Sequence, residues 1–160
     1  MFFHPPSPVI LSVPHIQQKR TGECLAACAS MICSYLNVTV DYARLVRLLE
    51  IQEDIGVSFS KIHNLEKLGL RVIYEKGGTL PKLYQLLTAG WPVIISVQTK
   101  ELAYWDGVAS FHAVLLVGMA NDSIYLNDPE WPVAPQQASI GDFDLAWLAR
   151  GERFALLAKS

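Results

Sequence analysis

The sequence is poor in charge, in cysteine and in long apolar runs, and each shortage closes off a class of protein. Charged residues are 18% of 160, and the formal net charge is −2. No basic excess marks a nucleic-acid footprint, so no nucleic-acid partner is expected. No apolar stretch approaches the roughly 18–20 residues that a membrane helix needs. The best runs, Val93 to Val97 and Ala113 to Met119, read as buried strands. The opening MFFHPPSPVILSV has no Lys or Arg ahead of its apolar stretch and carries three prolines, which makes a poor secretory signal. Cysteine is confined to Cys24, Cys28 and Cys33, an odd count that does not suggest a disulfide framework. Cys24 and Cys28 at i, i+4 could share a metal with His15 or His112, but no second Cys/His pair stands at metal spacing, and the gaps fit no iron–sulfur pattern. Neither a metal nor a cofactor is expected. Repeats, low-complexity tracts and linker-like stretches are absent as well. The expectation is one domain over residues 1–160, of the cytoplasmic kind.

What is present is apolar: hydrophobic residues make up 51% of the chain, and its mean hydropathy is +0.25. The first half, to about residue 90, reads as mostly helical, and the second as mostly strand. Pro8–Val13, flanked by prolines, reads as an extended lead-in or edge strand. Cys24–Leu36 is apolar on nearly every side, the pattern of a central buried helix. Val40–Glu50 is amphipathic, with Thr39 or Asp41 as its cap. Ser58–Leu68 reads as a third helix, closed by Gly69. A strand at Leu70–Tyr74 leads through Gly77-Gly78, read as a turn rather than a self-cleavage site, into a helix opened by Thr79 and Pro81. Four further strands are expected at Pro92–Val97, Ala113–Gly118, Ser123–Leu126 and Arg153–Leu157. A short helix at Asp142–Leu148, with Asp142 near its cap, precedes the last of them. Helices followed by an antiparallel sheet make an α+β pattern.

Chemistry enters with Cys24. It stands at the start of the buried helix, where the macrodipole favours the thiolate. Glu23 places a carboxylate at the same helix start. Cys28 and Cys33 read as small core residues, and Cys24 taken alone could be another. His4 and His15 lie in proline-bounded segments, and His63 sits on a polar helix face. His112 differs, because it opens the strand AVLLVG, where a titratable ring needs a partner or a task. Asp128 can supply the partner. It ends the next strand in Asn127-Asp128-Pro129, and a hairpin folding at residues 120–122 brings it close to opposite His112, within two or three residues of register. A core histidine and a strand-end Asp before Pro are the plainer readings of each residue by itself. Together, a helix-start thiol, then His, then Asp follow the order used by cysteine hydrolases of papain type. Such enzymes need an oxyanion donor ahead of the cysteine, and Gln17 and Gln18 lie there. Trp131, three residues past Asp128, is placed to shield the Asp–His pair or simply to pack beside its neighbouring prolines.

The stretch VPHIQQKRTGECLAACASMICSYLNV resembles the papain-like cysteine peptidases that clip double-glycine leader peptides from bacteriocins. Gln18, Glu23, Cys24, Ala27, Cys28 and Met31 match that family's pattern around its nucleophile. FHAVLLVG, NDP and the terminal DFDLAWLARGERFALL are similar to its His-bearing strand, its Asp-Pro and its closing helix and strand. The resemblance spans roughly residues 13 to 158. Leu25 stands where the family usually carries Gly, and Glu23 where Asp is commoner. Many members are fused to an ABC exporter for which this chain has no room, so the resemblance is nearer to stand-alone members.

The resemblance implies a papain-like α+β fold and cleavage of a peptide, with a double-glycine leader as one candidate. It makes Cys24 the nucleophile, His112 the general base and later acid, Asp128 the residue that orients it, and Gln18 the oxyanion donor. It also implies a peptide or protein substrate and association with a separately encoded exporter. A peptidase is expected to show an extended cleft between the helical and sheet halves. Two alternatives stay open: an amidase or acyltransferase acting on a small molecule, and a module that binds a peptide or leader without cutting it.

Overall fold

The computed structural model describes residues 3–160. Over these residues a seven-stranded antiparallel sheet is the spine, with helices on both faces. Its strands are β1 (Val9–Ile10), β2 (Leu70–Glu75), β3 (Val93–Gln98), β4 (Phe111–Ala120), β5 (Ser123–Asn127), β6 (Gln136–Ser139) and β7 (Phe154–Lys159). Their order is β2-β7-β3-β4-β5-β6, with β1 paired to the far end of β4. The papain-like α+β class expected from the sequence is the one found.

The helices are α1 (Cys24–Tyr35), α2 (Tyr42–Leu48), α3 (Leu80–Thr88) and α4 (Ile140–Leu148), with a long 3-10 helix at Phe59–Leu68. α1 is central, as its all-round apolar sequence implies. Ala26, Ala27, Cys28 and Ala29 are wholly buried, and such small side chains let the helix lie close against β4 and α2. Cys33 is 1% exposed, so Cys28 and Cys33 are the core thiols expected. Burial of larger side chains such as Met31 and Ile32 stabilises the fold by about 1.5–3 kcal/mol each.

β4 divides the core by simple alternation. Ala113, Leu115 and Val117 face the cluster built on α1, while Val114, Leu116 and Met119 face the one built on α3 and α4. The step from 116 to 119 on one face marks a bulge between Leu116 and Gly118. A two-residue turn at Asn121-Asp122 joins β4 to β5, pairing Ala120 with Ser123 and Leu115 with Asn127.

The local signals hold with four changes. Thr79 caps α3, its hydroxyl accepting from the Lys82 amide at 3.3 Å, and the segment opened by Ser58 ends at Gly69. That segment is a 3-10 helix rather than an α-helix. Its buried residues Phe59, Ile62 and Leu65 recur every third position, which matches three residues per turn. α2 is shorter than the Val40–Glu50 pattern. α4 begins at Ile140 rather than Asp142, and Ser139 caps it, its hydroxyl accepting from the Asp142 amide at 3.0 Å. Finally, β6 is an edge strand with no counterpart in the sequence reading; only its Ala138 is buried.

Candidate active site

The site forms where the start of α1 meets the ends of β4 and β5. Cys24 is the first residue of α1, whose first-turn N–H groups have no partner within the helix. Glu23 is buried, but it does not cap the helix through its side chain. Its carboxylate accepts from the Arg20 amide at 3.1 Å and from the Tyr42 hydroxyl at 3.0 Å, which ties the preceding turn to α2.

His112 lies near the start of β4, 9% exposed, and Asp128 follows β5, 0% exposed. The β4–β5 register would set Val114 opposite Asp128, so the two side chains meet across the diagonal rather than face to face. His112 Nε2 is 2.7 Å from Asp128 Oδ1. The ring's other nitrogen, Nδ1, is the one left for Cys24. Asp128 is fully satisfied: Oδ1 also accepts from the Glu130 amide at 3.0 Å, and Oδ2 accepts from the Tyr104 hydroxyl at 2.7 Å and Trp105 Nε1 at 2.9 Å.

Tyr104 and Trp105 are the residues that the sequence reading missed. They sit on a short 3-10 turn between β3 and β4. The available signal was chemical: a buried Trp or Tyr needs an acceptor for its N–H or O–H. Trp105 also packs edge-on against the His112 ring, with centroids 5.1 Å apart, and Trp131 packs edge-on against Trp105 at 5.4 Å. The ring shielding the His–Asp pair is therefore Trp105. Trp131 backs it one layer out.

The electrostatics follow from burial and pairing. Burial pushes the Cys24 thiol up, but the His112 ring and its charge, helped by the Ala113 and Leu25 N–H groups, outweigh it and bring the thiol below its ordinary range. Burial alone would lower His112; the Asp128 hydrogen bond, then Cys24, raise it to about 10. Burial alone would raise Asp128, and pairing with His112 holds it below the usual carboxylate range. Burial, then the Asp128 charge, pushes Tyr104 upward, so it stays a donor. Cys28 has no such partner; burial and the charges of Cys24 and Asp128 raise it well above an ordinary thiol. The arrangement favours a thiolate–imidazolium pair at Cys24 and His112.

The segment before α1 is fastened to the loop after β5. Gln18 N donates to Pro129 O at 2.9 Å, Gln17 Nε2 donates to Glu130 O at 3.0 Å, and Asn127 Nδ2 donates to Val13 O at 3.2 Å. His15 Nε2 lies 2.7 Å from Trp131 O. This lacing puts Gln18, rather than the exposed Gln17, on the wall that includes Cys24. The Gln18 amide is already engaged: Nε2 donates to Glu130 Oε2 at 3.0 Å, which leaves one of its two N–H bonds free. Glu130 is a third residue that the sequence did not reveal.

A groove of about 550 Å³ runs past Cys24. Its lining comes from Gln18, Thr21, Gly22 and Cys24, from Asp54 to Val57, and from Trp105, Val108 to His112, Glu130 and Arg150. It lies between the helical half and the sheet half and is partly open to solvent.

The sequence model of the Peptidase C39 family matches residues 12–151. No curated protein matches the chain. Among solved structures, a C39-like peptidase from Bacillus anthracis is similar at 21% identity with a TM-score of 0.76, over 96% of this chain and 98% of that one. A double glycine motif protease from an AMS/PCAT transporter, solved with its leader peptide, is 20% identical with a TM-score of 0.71, over 99% and 100%. The peptidase domain of Streptococcus ComA, described as a bi-functional ABC transporter of a quorum-sensing pathway, is 18% identical with a TM-score of 0.69, over 91% and 98%. With a family match running from Ser12 to Gly151 and the fold shared with these peptidases, the chain belongs to the Peptidase C39 family.

Proposed function

We propose that this C39-family protein is a cysteine endopeptidase in which Cys24 is the nucleophile, His112 the general base and acid, Asp128 the residue that orients His112, and Gln18 an oxyanion donor. The observation that carries the proposal is the buried 2.7 Å pair between His112 and Asp128, with the remaining ring nitrogen available to a helix-start thiol whose anion is favoured. In the reaction, the Cys24 thiolate attacks the scissile carbonyl. The free N–H of Gln18 and the Cys24 backbone N–H steady the oxyanion. The tetrahedral intermediate collapses as imidazolium Nδ1–H protonates the leaving amine, which yields a thioester. A water molecule, deprotonated by His112, then hydrolyses it.

The C39 family match and the similar protease solved with its leader peptide support a peptide over a small molecule. A double-glycine leader is the first substrate to test, supported by the similar protease solved with its leader peptide. No helix among the described residues is long and apolar enough to cross a membrane. We further propose that residues 1–160 act as one peptidase domain on the cytoplasmic side, able to associate with an exporter.

The test is a peptide panel, with and without a Gly-Gly pair, incubated with the wild type and with Cys24→Ala and read by mass spectrometry. Cleavage by the wild type alone is expected. Preference for Gly-Gly peptides would extend the proposal to leader processing. Tight binding without cleavage in both proteins would overturn it in favour of a binding module.

A further inference from the structure

Arg150 belongs to the groove, yet nothing in the chemistry above uses it. Its backbone is fixed by the way α4 ends. Gly151 N donates to Leu148 O at 3.0 Å and Glu152 N to Trp147 O at 3.1 Å, the paired bonds of a Schellman closure, with Gly151 at φ +69°. A side chain leaving that closure is aimed by backbone geometry rather than left to wander.

The guanidinium is anchored on one face and one edge. Its carbon lies 4.2 Å from the centroid of the Phe111 ring, and Nε donates to Ser96 Oγ at 3.4 Å. Phe111 is the residue before His112, and it is 69% exposed. A large ring held open beside a reactive pair, with an arginine laid across it, makes a flat cationic surface. Among the described residues no carboxylate comes within 4.0 Å of the Arg150 nitrogens. No described hydrogen bond uses its two terminal nitrogens. The fork of N–H groups that best fits a carboxylate is therefore unspent.

The location is equally specific. Arg150 lines the main groove, and it also lines a recess of about 60 Å³ that contains Cys24, His112, Ala113 and Phe111. That volume suits the end of one side chain rather than a second substrate. Among the described residues, Arg150 is the sole cation on the groove wall apart from His112. Of the two acids on that wall, Glu130 is occupied by Gln18, and Asp54 makes no ion pair with Arg150.

We propose that Arg150 and Phe111 form a carboxylate-binding subsite beside Cys24, so that the preferred peptide carries a carboxylate close to its scissile bond. This deepens the peptidase proposal and rests on it. The carboxylate has two sources, an internal Glu or Asp side chain or the free end of the chain. A stacked guanidinium accepts either in the same bidentate manner.

The test uses peptides that pair Glu with Gln at each of the positions nearest the cleaved bond, and peptides with free or amidated C-termini, cleaved by the wild type, Arg150→Gln and Arg150→Glu. A charge-assisted hydrogen bond to a desolvated partner predicts an acid-over-amide ratio in kcat/KM of about ten to a hundred. Arg150→Gln should bring that ratio near one, and Arg150→Glu should turn the preference toward Lys at the same position. A high Glu/Gln ratio in amidated peptides identifies a side-chain carboxylate; a high free/amidated ratio identifies a chain end. Wild-type ratios near one, or ratios that Arg150→Gln leaves unchanged, overturn the subsite while leaving the peptidase intact. If no peptide is cleaved, the rates at which iodoacetate and iodoacetamide alkylate Cys24 decide separately, because their tails differ only in charge and would enter the recess. A rate ratio that falls in Arg150→Gln supports the subsite even though the peptidase proposal has failed. An unchanged ratio overturns both.

Discussion

Asp128→Ala removes a wholly buried carboxylate on which four donors converge: His112 Nε2, Tyr104 Oη, Trp105 Nε1 and Glu130 N. Breaking a buried charge pair by deleting one partner costs about 3–5 kcal/mol, because the other charge stays behind unpaired. For a chain of this size each kcal/mol shifts Tm by about 2–4 °C, so the variant should melt about 6–20 °C below the wild type. The gap should depend on pH. His112 is raised from 6.5 to about 10, so its contribution is fully present below pH 6.5 and is lost as pH rises through 10. Asp128 is lowered from 3.8, so its contribution is present above that value and is lost as pH falls below it. The difference in Tm is therefore widest between pH 3.8 and 6.5, and it closes toward alkaline pH. Thermal unfolding by circular dichroism from pH 4 to 10.5 measures it, and turnover should fall by about 10²–10⁴ in parallel. A gap below about 3 °C, or one that stays flat across the range, would refute the pairing.

Two other variants separate catalysis from folding. Gln18→Ala should lower kcat by about 10²–10³ with little change in KM, read by steady-state kinetics on any cleaved peptide. Gly78→Ala places a methyl 2.9 Å from the Phe154 and Trp147 rings. Overpacking of that kind costs about 1–3 kcal/mol, so urea unfolding should show lower stability while activity per folded molecule is unchanged.

Most of the architecture was legible because its signals are local and redundant. The run from Cys24 to Leu36 could only be a buried helix, and Thr79-Pro81 could scarcely do other than open one. The His112–Asp128 pairing was legible because one short turn fixes where two strands bring their ends; the bulge after Leu116 then moves the residue opposite Asp128 from Leu115 to Val114, which puts His112 on the same face and on the diagonal. β6 escaped because an edge strand with one buried residue has no alternation to read. The Ser58–Leu68 segment was legible as a helix, and the repeat of Phe59, Ile62 and Leu65 by three is what makes it a 3-10 helix. Tyr104, Trp105 and Glu130 were hidden for a different reason. They reach the site through tertiary closure: a loop between β3 and β4 folds back onto Asp128, and the chain before α1 laces onto residues 129–131. No spacing in the sequence encodes such contacts.

The central claim is that Cys24 and His112 form a reactive ion pair. The pH dependence of iodoacetamide labelling at Cys24, mapped by mass spectrometry in the wild type and in His112→Ala, tests it most directly. Cys28, which is buried with a raised pKa, serves as the internal control. The account predicts that Cys24 labels at pH values below its ordinary thiol pKa of 9.0 while Cys28 stays silent. In His112→Ala the profile should move up to 9.0 or beyond, because burial then acts with no imidazolium to oppose it. Labelling of Cys24 no faster than Cys28, or an identical profile in His112→Ala, would contradict it.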